Sequence, residues 1–92
     1  MKMKPEVFEV FSKRDKELKP KRFKGRRTNP SVQAKNWYQL STNAHLSWII
    51  YFHSDMRFIE GYDSVRFPGG RTMRILRADM AGMNRIKLEV GV

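Results

Sequence analysis

From Pro5 to Leu18 the apolar residues Val7, Phe8, Phe11 and Leu18 fall at intervals compatible with one helical face, with Lys13, Arg14 and Lys16 mostly on the other. Pro5 suits a first helical turn, and Glu6 and Glu9 favour the positive end of a helix dipole. The spacing predicts a helix over residues 5–18, stopped by Pro20. A short strand through Val7 to Phe11 is the alternative, and the alternation there does not favour it. Residues 19–36 carry Pro20, Gly25, Asn29, Pro30 and Asn36, a breaker every few positions, with Phe23 and Val32 the only sizeable apolar residues. That pattern predicts a loop or mobile arm.

After Asn36 the character changes. Trp37-Tyr38-Gln39-Leu40 is a short β-prone run. Leu46 to Phe52 is rich in β-branched and aromatic residues and favours a strand, with a helix capped by Ser41, Thr42 or Asn43 as its competitor. Met56 to Ile59 is followed by Gly61 and Asp63. Pro68-Gly69-Gly70 then separates Val65-Arg66-Phe67 from the run Arg71 to Arg77, a hairpin signal. Arg85 to Val90 alternates strictly, which turns Ile86, Leu88, Val90 and also Val92 toward a core. The expected architecture is α+β: an N-terminal helix, a basic arm, and an antiparallel β-meander of four or five strands with the helix covering one face.

A chain of 92 residues accommodates one domain, with residues 37–92 as its β-rich packed part. The 40% apolar share argues against a wholly disordered chain. With no cysteine there is no disulfide, thiolate metal site or thiol nucleophile. Met1 to Glu6 is basic enough to begin a leader, but no run of seven apolar residues follows, and Leu46 to Phe52 is too short to span a bilayer. A cytoplasmic protein is expected, in the host cytoplasm if the source is viral, with no membrane partner.

Charge narrows the function. The net charge is +10, and Lys13 to Lys35 holds ten basic residues against Asp15 and Glu17. Within it, Lys19-Pro20-Lys21-Arg22-Phe23-Lys24-Gly25-Arg26-Arg27 places six cations in nine residues. Such a density repels itself unless an anion lies against it, and the commonest large anion is a nucleic-acid backbone. Gly25 would let the backbone approach a groove floor. Gly25-Arg26-Arg27, with Pro20 and Pro30 on either side, resembles an AT-hook, which implies a minor-groove-reading arm. It lacks the proline that normally follows the first Gly-Arg.

The strand readings turn Arg66, Arg74, Arg85 and Lys87 outward, together with Thr72, Leu76 and Glu89, with Arg57 a further candidate. Cations on a sheet face, with rings to stack on bases, suit single-stranded nucleic acid. Trp37 and Tyr38, at the hinge of arm and sheet, are stacking candidates, with core packing the commoner role of a tryptophan in a small domain. The expected function is therefore nucleic-acid binding, to DNA or RNA. Lys19, Lys21, Arg22, Lys24, Arg26 and Arg27 would supply affinity, and Trp37, Tyr38, Arg66 and Arg74 selectivity. The alternative is a non-enzymatic interaction protein, such as a viral inhibitor, gripping an acidic protein partner.

Catalysis is the least expected reading. His45 and His53 lie eight apart without the companions a zinc site recruits, so no metal or cofactor is expected. In size and charge the chain is similar to small basic α+β ribonuclease toxins. Cleavage would call on His53, with Asp55 and Glu60 nearby, or on a cluster of Tyr62, Arg66 and Arg74.

Overall fold

The computed structural model describes residues 4–92; the leader reading at Met1 to Met3 lies outside them. Its strands are β1 (Glu6–Phe11), β2 (Lys21–Thr28), β3 (Leu46–His53), β4 (Ser64–Arg66), β5 (Thr72–Gly82) and β6 (Arg85–Gly91). One helix, α1 (Val32–Thr42), and a 3-10 turn at Met56–Ile59 complete the order. The strands form a closed antiparallel barrel, β1-β2-β3-β6-β5-β4, with β4 pairing back onto β1.

This corrects the α+β meander. The predicted helix over 5–18 is strand β1 followed by a turn, because Phe8 and Val10 alternate inward against Val7 and Glu9 outward. A period of two, with a partner on either side, wins over the helical spacing. The predicted arm also contains regular structure. Lys21–Thr28 pairs with β1 from Glu6↔Gly25 to Val10↔Lys21, and with β3 from Arg26↔Tyr51 to Thr28↔Ile49.

The helix lies elsewhere. Ser31 caps it by accepting from the Ala34 N–H at 3.1 Å, and Asn43 ends it in the left-handed conformation at φ 60°. Trp37 to Leu40 is therefore helical rather than β-prone, and Asn43 closes a helix instead of opening one. Three later expectations hold in form: Leu46–His53 is a strand, β4 and β5 pair across Pro68-Gly69-Gly70, and Ile86, Leu88 and Val90 are buried. Gly69 and Gly70 supply positive φ in that turn. Val92 is 75% exposed and does not join the core.

Inward side chains fill the barrel. Phe8, Phe23 and Phe52 stack in sequence, with centroids 5.5 and 4.2 Å apart, and Phe67 meets Phe8 edge-on. One end, here the upper, is plugged by Ile59 and Tyr62 from the β3–β4 connection, with Phe58 and Leu18 packed against them. A second cluster of Tyr38, Ala44 and Leu46 seats α1 on the outer wall at the lower end, against Leu76. Leu76 falls at a bulge where β5 shifts register against β6. Among the described residues, no helix is long and apolar enough to cross a membrane.

Asp63 ties the upper end together. Its carboxylate accepts from the Lys13 N–H at 3.0 Å and from the hydroxyls of Ser64 and Ser12 at 2.7 and 3.4 Å. Its own N–H donates to Phe11, and its carbonyl accepts from Ile75. Desolvation pushes the Asp63 carboxyl up, but the bonds from Lys13, Ser64, Arg14 and Ser12 outweigh it and leave the group below its ordinary 3.8. A depressed acid stabilises the fold above its unfolded value and loses that contribution as pH falls through the folded one. Asp63→Ala should therefore cost about 1–3 kcal/mol at neutral pH, a difference that shrinks in acid. Urea titrations of both proteins at pH 7 and pH 3 measure it; an equal gap at both would refute the carboxylate's part.

Candidate nucleic-acid interface

Ion pairing divides the cations into two groups. Among the described residues, the pairs within 4.0 Å are Arg22–Glu9 at 3.7 Å, Arg27–Glu6 at 2.9 Å, Arg77–Asp79 at 2.6 Å and Arg66–Glu9. Arg27 also lies over the rings of Trp48 and Phe67 at 4.8 and 5.4 Å, closing the lower end of the barrel. Lys21 lies over Phe58 and Tyr62 at 5.0 and 5.6 Å and does the same at the upper end. These side chains are tied to acids or rings of the barrel, though Arg22, Arg66 and Arg77 stay largely exposed.

A second group takes no part in these ion pairs. Lys24 and Arg26 are exposed on the outer face of β2, and Arg85 and Lys87 stand outward on β6. Between them runs β3, with Tyr51 and His53 outward. Arg26, Tyr51 and Lys87 align in one row across three strands, and His53 pairs with Arg85 in the row above. Adjacent strands lie about 4.8 Å apart, so each row forms a continuous surface. The Arg85 guanidinium lies 4.4 Å from the Tyr51 ring centroid. This leaves a ring and a guanidinium plane inside a frame of cations, none of them in the ion pairs above. Asp79, opposite Lys87, bonds Arg77, and Glu89 lies buried under α1.

The sequence-predicted residues are thus dispersed. Lys24 and Arg26 reach this face. Lys19 is exposed in the β1–β2 loop, where its carbonyl accepts from the Tyr62 hydroxyl. Arg22 and Arg27 are ion-paired, and Lys21 caps the barrel end. Arg66 and Arg74 face outward from β4 and β5, but β4 lies opposite β3 in the closed ring. The expected single surface of outward cations is therefore split, because a closed barrel points outward all the way round. Trp37 is 52% exposed on α1, whereas Tyr38 is buried. Tyr62 lies in the core plug while Arg66 and Arg74 lie on the outer wall, so these three do not share a face. Tyr51 was missed, and His53 was named only for cleavage, not for this face. Their signal was the outward parity of Ile49, Tyr51 and His53 against Ile50 and Phe52, hidden because both faces of that strand are apolar at one end.

Gly25 has a role other than groove approach. It points into the barrel, where an added Cβ would lie 2.9 Å from the Tyr51 carbonyl oxygen and 3.1 Å from Ile50 Cγ2. The AT-hook-like segment is a strand whose glycine lets two strands cross closely. Gly25→Ala should destabilise by about 1–3 kcal/mol through overpacking. Thermal melting measures this, and an unchanged midpoint would refute it.

Tyr38 and Glu89 meet beneath the helix. The Tyr38 hydroxyl is buried without a hydrogen-bond partner among the described residues. Burial, and after it the Glu89 carboxylate, push its phenol from 10.0 up to about 12. A raised folded value means stability is complete below the ordinary one and lost as pH climbs toward about 12. Tyr38→Phe should leave neutral-pH stability within about 0.5 kcal/mol and flatten the alkaline loss, whereas Tyr38→Ala should cost about 3–5 kcal/mol. Denaturation at pH 7 and pH 11 separates them; a large neutral-pH cost for phenylalanine would mean that the hydroxyl is bonded.

Comparison with protein-family models, curated proteins and solved structures gives no match. Among the described residues, no cluster of three or more His, Cys, Asp or Glu could hold a metal.

Proposed function

We propose that this protein binds single-stranded nucleic acid on the outer wall of β2, β3 and β6. One observation carries the reading: Arg26 and Lys87 flank Tyr51, Arg85 lies over its ring and Lys24 is exposed two positions along β2, with no acid among the described residues within ion-pair distance of any of them. Cations there neutralise phosphates, each releasing counterions, and the Tyr51–Arg85 stack offers a plane on which a base can lie. An acidic protein would be drawn by the same charge and would also pack on the ring, so the test below includes that partner; for a nucleic acid the ring adds base stacking to the phosphate contacts.

Fluorescence anisotropy with labelled single-stranded DNA, RNA and duplex DNA at fixed salt tests the reading. The single strands should bind more tightly than the duplex, with affinity falling steeply as salt rises. Arg26→Ala with Lys87→Ala should weaken binding to every sequence and flatten the logarithmic salt slope by about 0.7 for each phosphate no longer neutralised. Tyr51→Leu, which keeps an apolar strand residue, should cost about 1–3 kcal/mol of binding. No binding at low salt, or binding indifferent to these changes, would overturn the proposal. A protein partner retained from lysate after nuclease treatment, with no oligonucleotide bound, would put an acidic protein in its place.

A further inference from the structure

A second cationic feature lies on the opposite side of the barrel, where the β1–β2 loop folds down beside β4. A cleft of about 520 Å³ opens there, with Phe11, Leu18 and Pro20 as its apolar wall and Lys13, Lys16 and Arg66 as its cations. The volume falls within the range of small-ligand sites. Among the described residues, no acid lines it.

The cleft is held by bonds that leave the Lys13 and Lys16 ammoniums outside any ion pair among the described residues. The Lys13 backbone N–H donates to Asp63, which pins the loop, while its ammonium is not engaged in an ion pair among the described residues. Asp15, the nearest acid in sequence, turns its carboxylate to the Glu17 N–H at 3.1 Å. Leu18 packs on the core, which fixes the floor. Arg66 is oriented by Glu9 on one side and lies 4.9 Å from the Phe11 ring centroid on the other. A guanidinium has five donors in a planar fork, so the Glu9 contact leaves others for a second anion.

We infer that this cleft is a binding site for a nucleotide phosphomonoester. The phosphate sits between Lys13, Lys16 and the free edge of Arg66, and the base lies along Phe11, Leu18 and Pro20. Two unpaired ammoniums and the remaining Arg66 donors supply the charge match for a dianion, and the apolar wall accounts for a base rather than a bare phosphate. The phosphomonoester can come from a free mononucleotide or from the phosphorylated end of a strand. This site involves neither β3 nor β6, and stands whether or not the outer wall of β2, β3 and β6 binds nucleic acid.

Adenosine 5′-monophosphate, adenosine and inorganic phosphate, each titrated into the full-length protein and followed by backbone amide NMR, provide the test. The monophosphate should shift the amides of Lys13, Lys16, Leu18 and Arg66 and bind at least tenfold more tightly than adenosine. Lys13→Ala with Lys16→Ala, both exposed loop positions, should lose at least tenfold of that affinity. Lys35→Ala, on α1 at the far end of the barrel, should retain it. In parallel, an oligonucleotide carrying a 5′-phosphate is compared with its 5′-hydroxyl form. A gain with phosphate assigns the strand end, and no gain alongside monophosphate binding assigns the free nucleotide. If neither the monophosphate nor the end phosphate binds better than its dephosphorylated form, the site is refuted. Inorganic phosphate binding as tightly as the monophosphate would refute the part given to the base.

Discussion

Everything in this molecule depends on β1 lying between β2 and β4. Without it the sheet has two open edges and the aromatic stack of Phe8, Phe23 and Phe52 loses its first member. β1 brings more than hydrogen bonds. Its glutamates stand opposite the most basic strand in the chain, with Glu6 bonding Arg27 and Glu9 shared between Arg22 and Arg66. A strand reading Lys-Arg-Phe-Lys-Gly-Arg-Arg-Thr would repel itself and have only Phe23 to bury; next to two acids it becomes barrel wall. The exposed pairs each contribute little in isolation, but Glu9 serves two strands at once and so bridges the closure itself.

That neutralisation is selective, and the selection gives the surface its meaning. Outer positions on β1 and β4 see Glu9, whereas Lys24 stands opposite Val7, and Arg26 opposite Tyr51 of β3, whose sequence carries no acid at all. The acids of β5 and β6 are used locally, Asp79 by Arg77 and Glu89 beneath Tyr38. The wall of β2, β3 and β6 is therefore electropositive through the placement of a few carboxylates, not only through net charge.

How much of this was legible depends on where the information resides. β6 was readable because Ile86, Leu88 and Val90 alternate with polar residues in one strict run, and the β4–β5 turn because Pro68-Gly69-Gly70 is self-sufficient chemistry. The first half of the chain was not. Glu6 and Glu9 fit a helix N-terminus as well as they fit two ion pairs, and only the pairing with β2 decides between them. Lys21 to Thr28 looked like an arm because its outward and end positions are cationic, so its inward positions, Phe23 and Gly25, carry almost no hydrophobic signal. Trp37 and Tyr38 looked β-prone by residue type, yet Ser31 and Asn43 define the helix from outside the run. Of the candidate site, the cations were named but their grouping was not, since grouping follows from register and closure, and both are long-range properties.

The two ends of the barrel complete the picture. Below, α1 buries Tyr38, Ala44 and Leu46 against the outer wall and brings Tyr38 beside Glu89 of β6. Above Glu89 that strand is uncovered, and Lys87 and Arg85 stand out beside Tyr51. The helix thus sets the lower limit of the open wall. Leaving like charges adjacent there costs stability that an acid at the position of Tyr51 would offset. Several cations elsewhere are quieted by carboxylates and rings, as where Arg27 lies over Trp48 and Lys21 over Phe58. On this wall Arg85 has a ring but no carboxylate among the described residues, and Lys24, Arg26 and Lys87 have neither. Uncompensated charge beside an aromatic ring is a poor way to build a barrel, and it is the feature on which the proposed binding of a polyanion with bases rests.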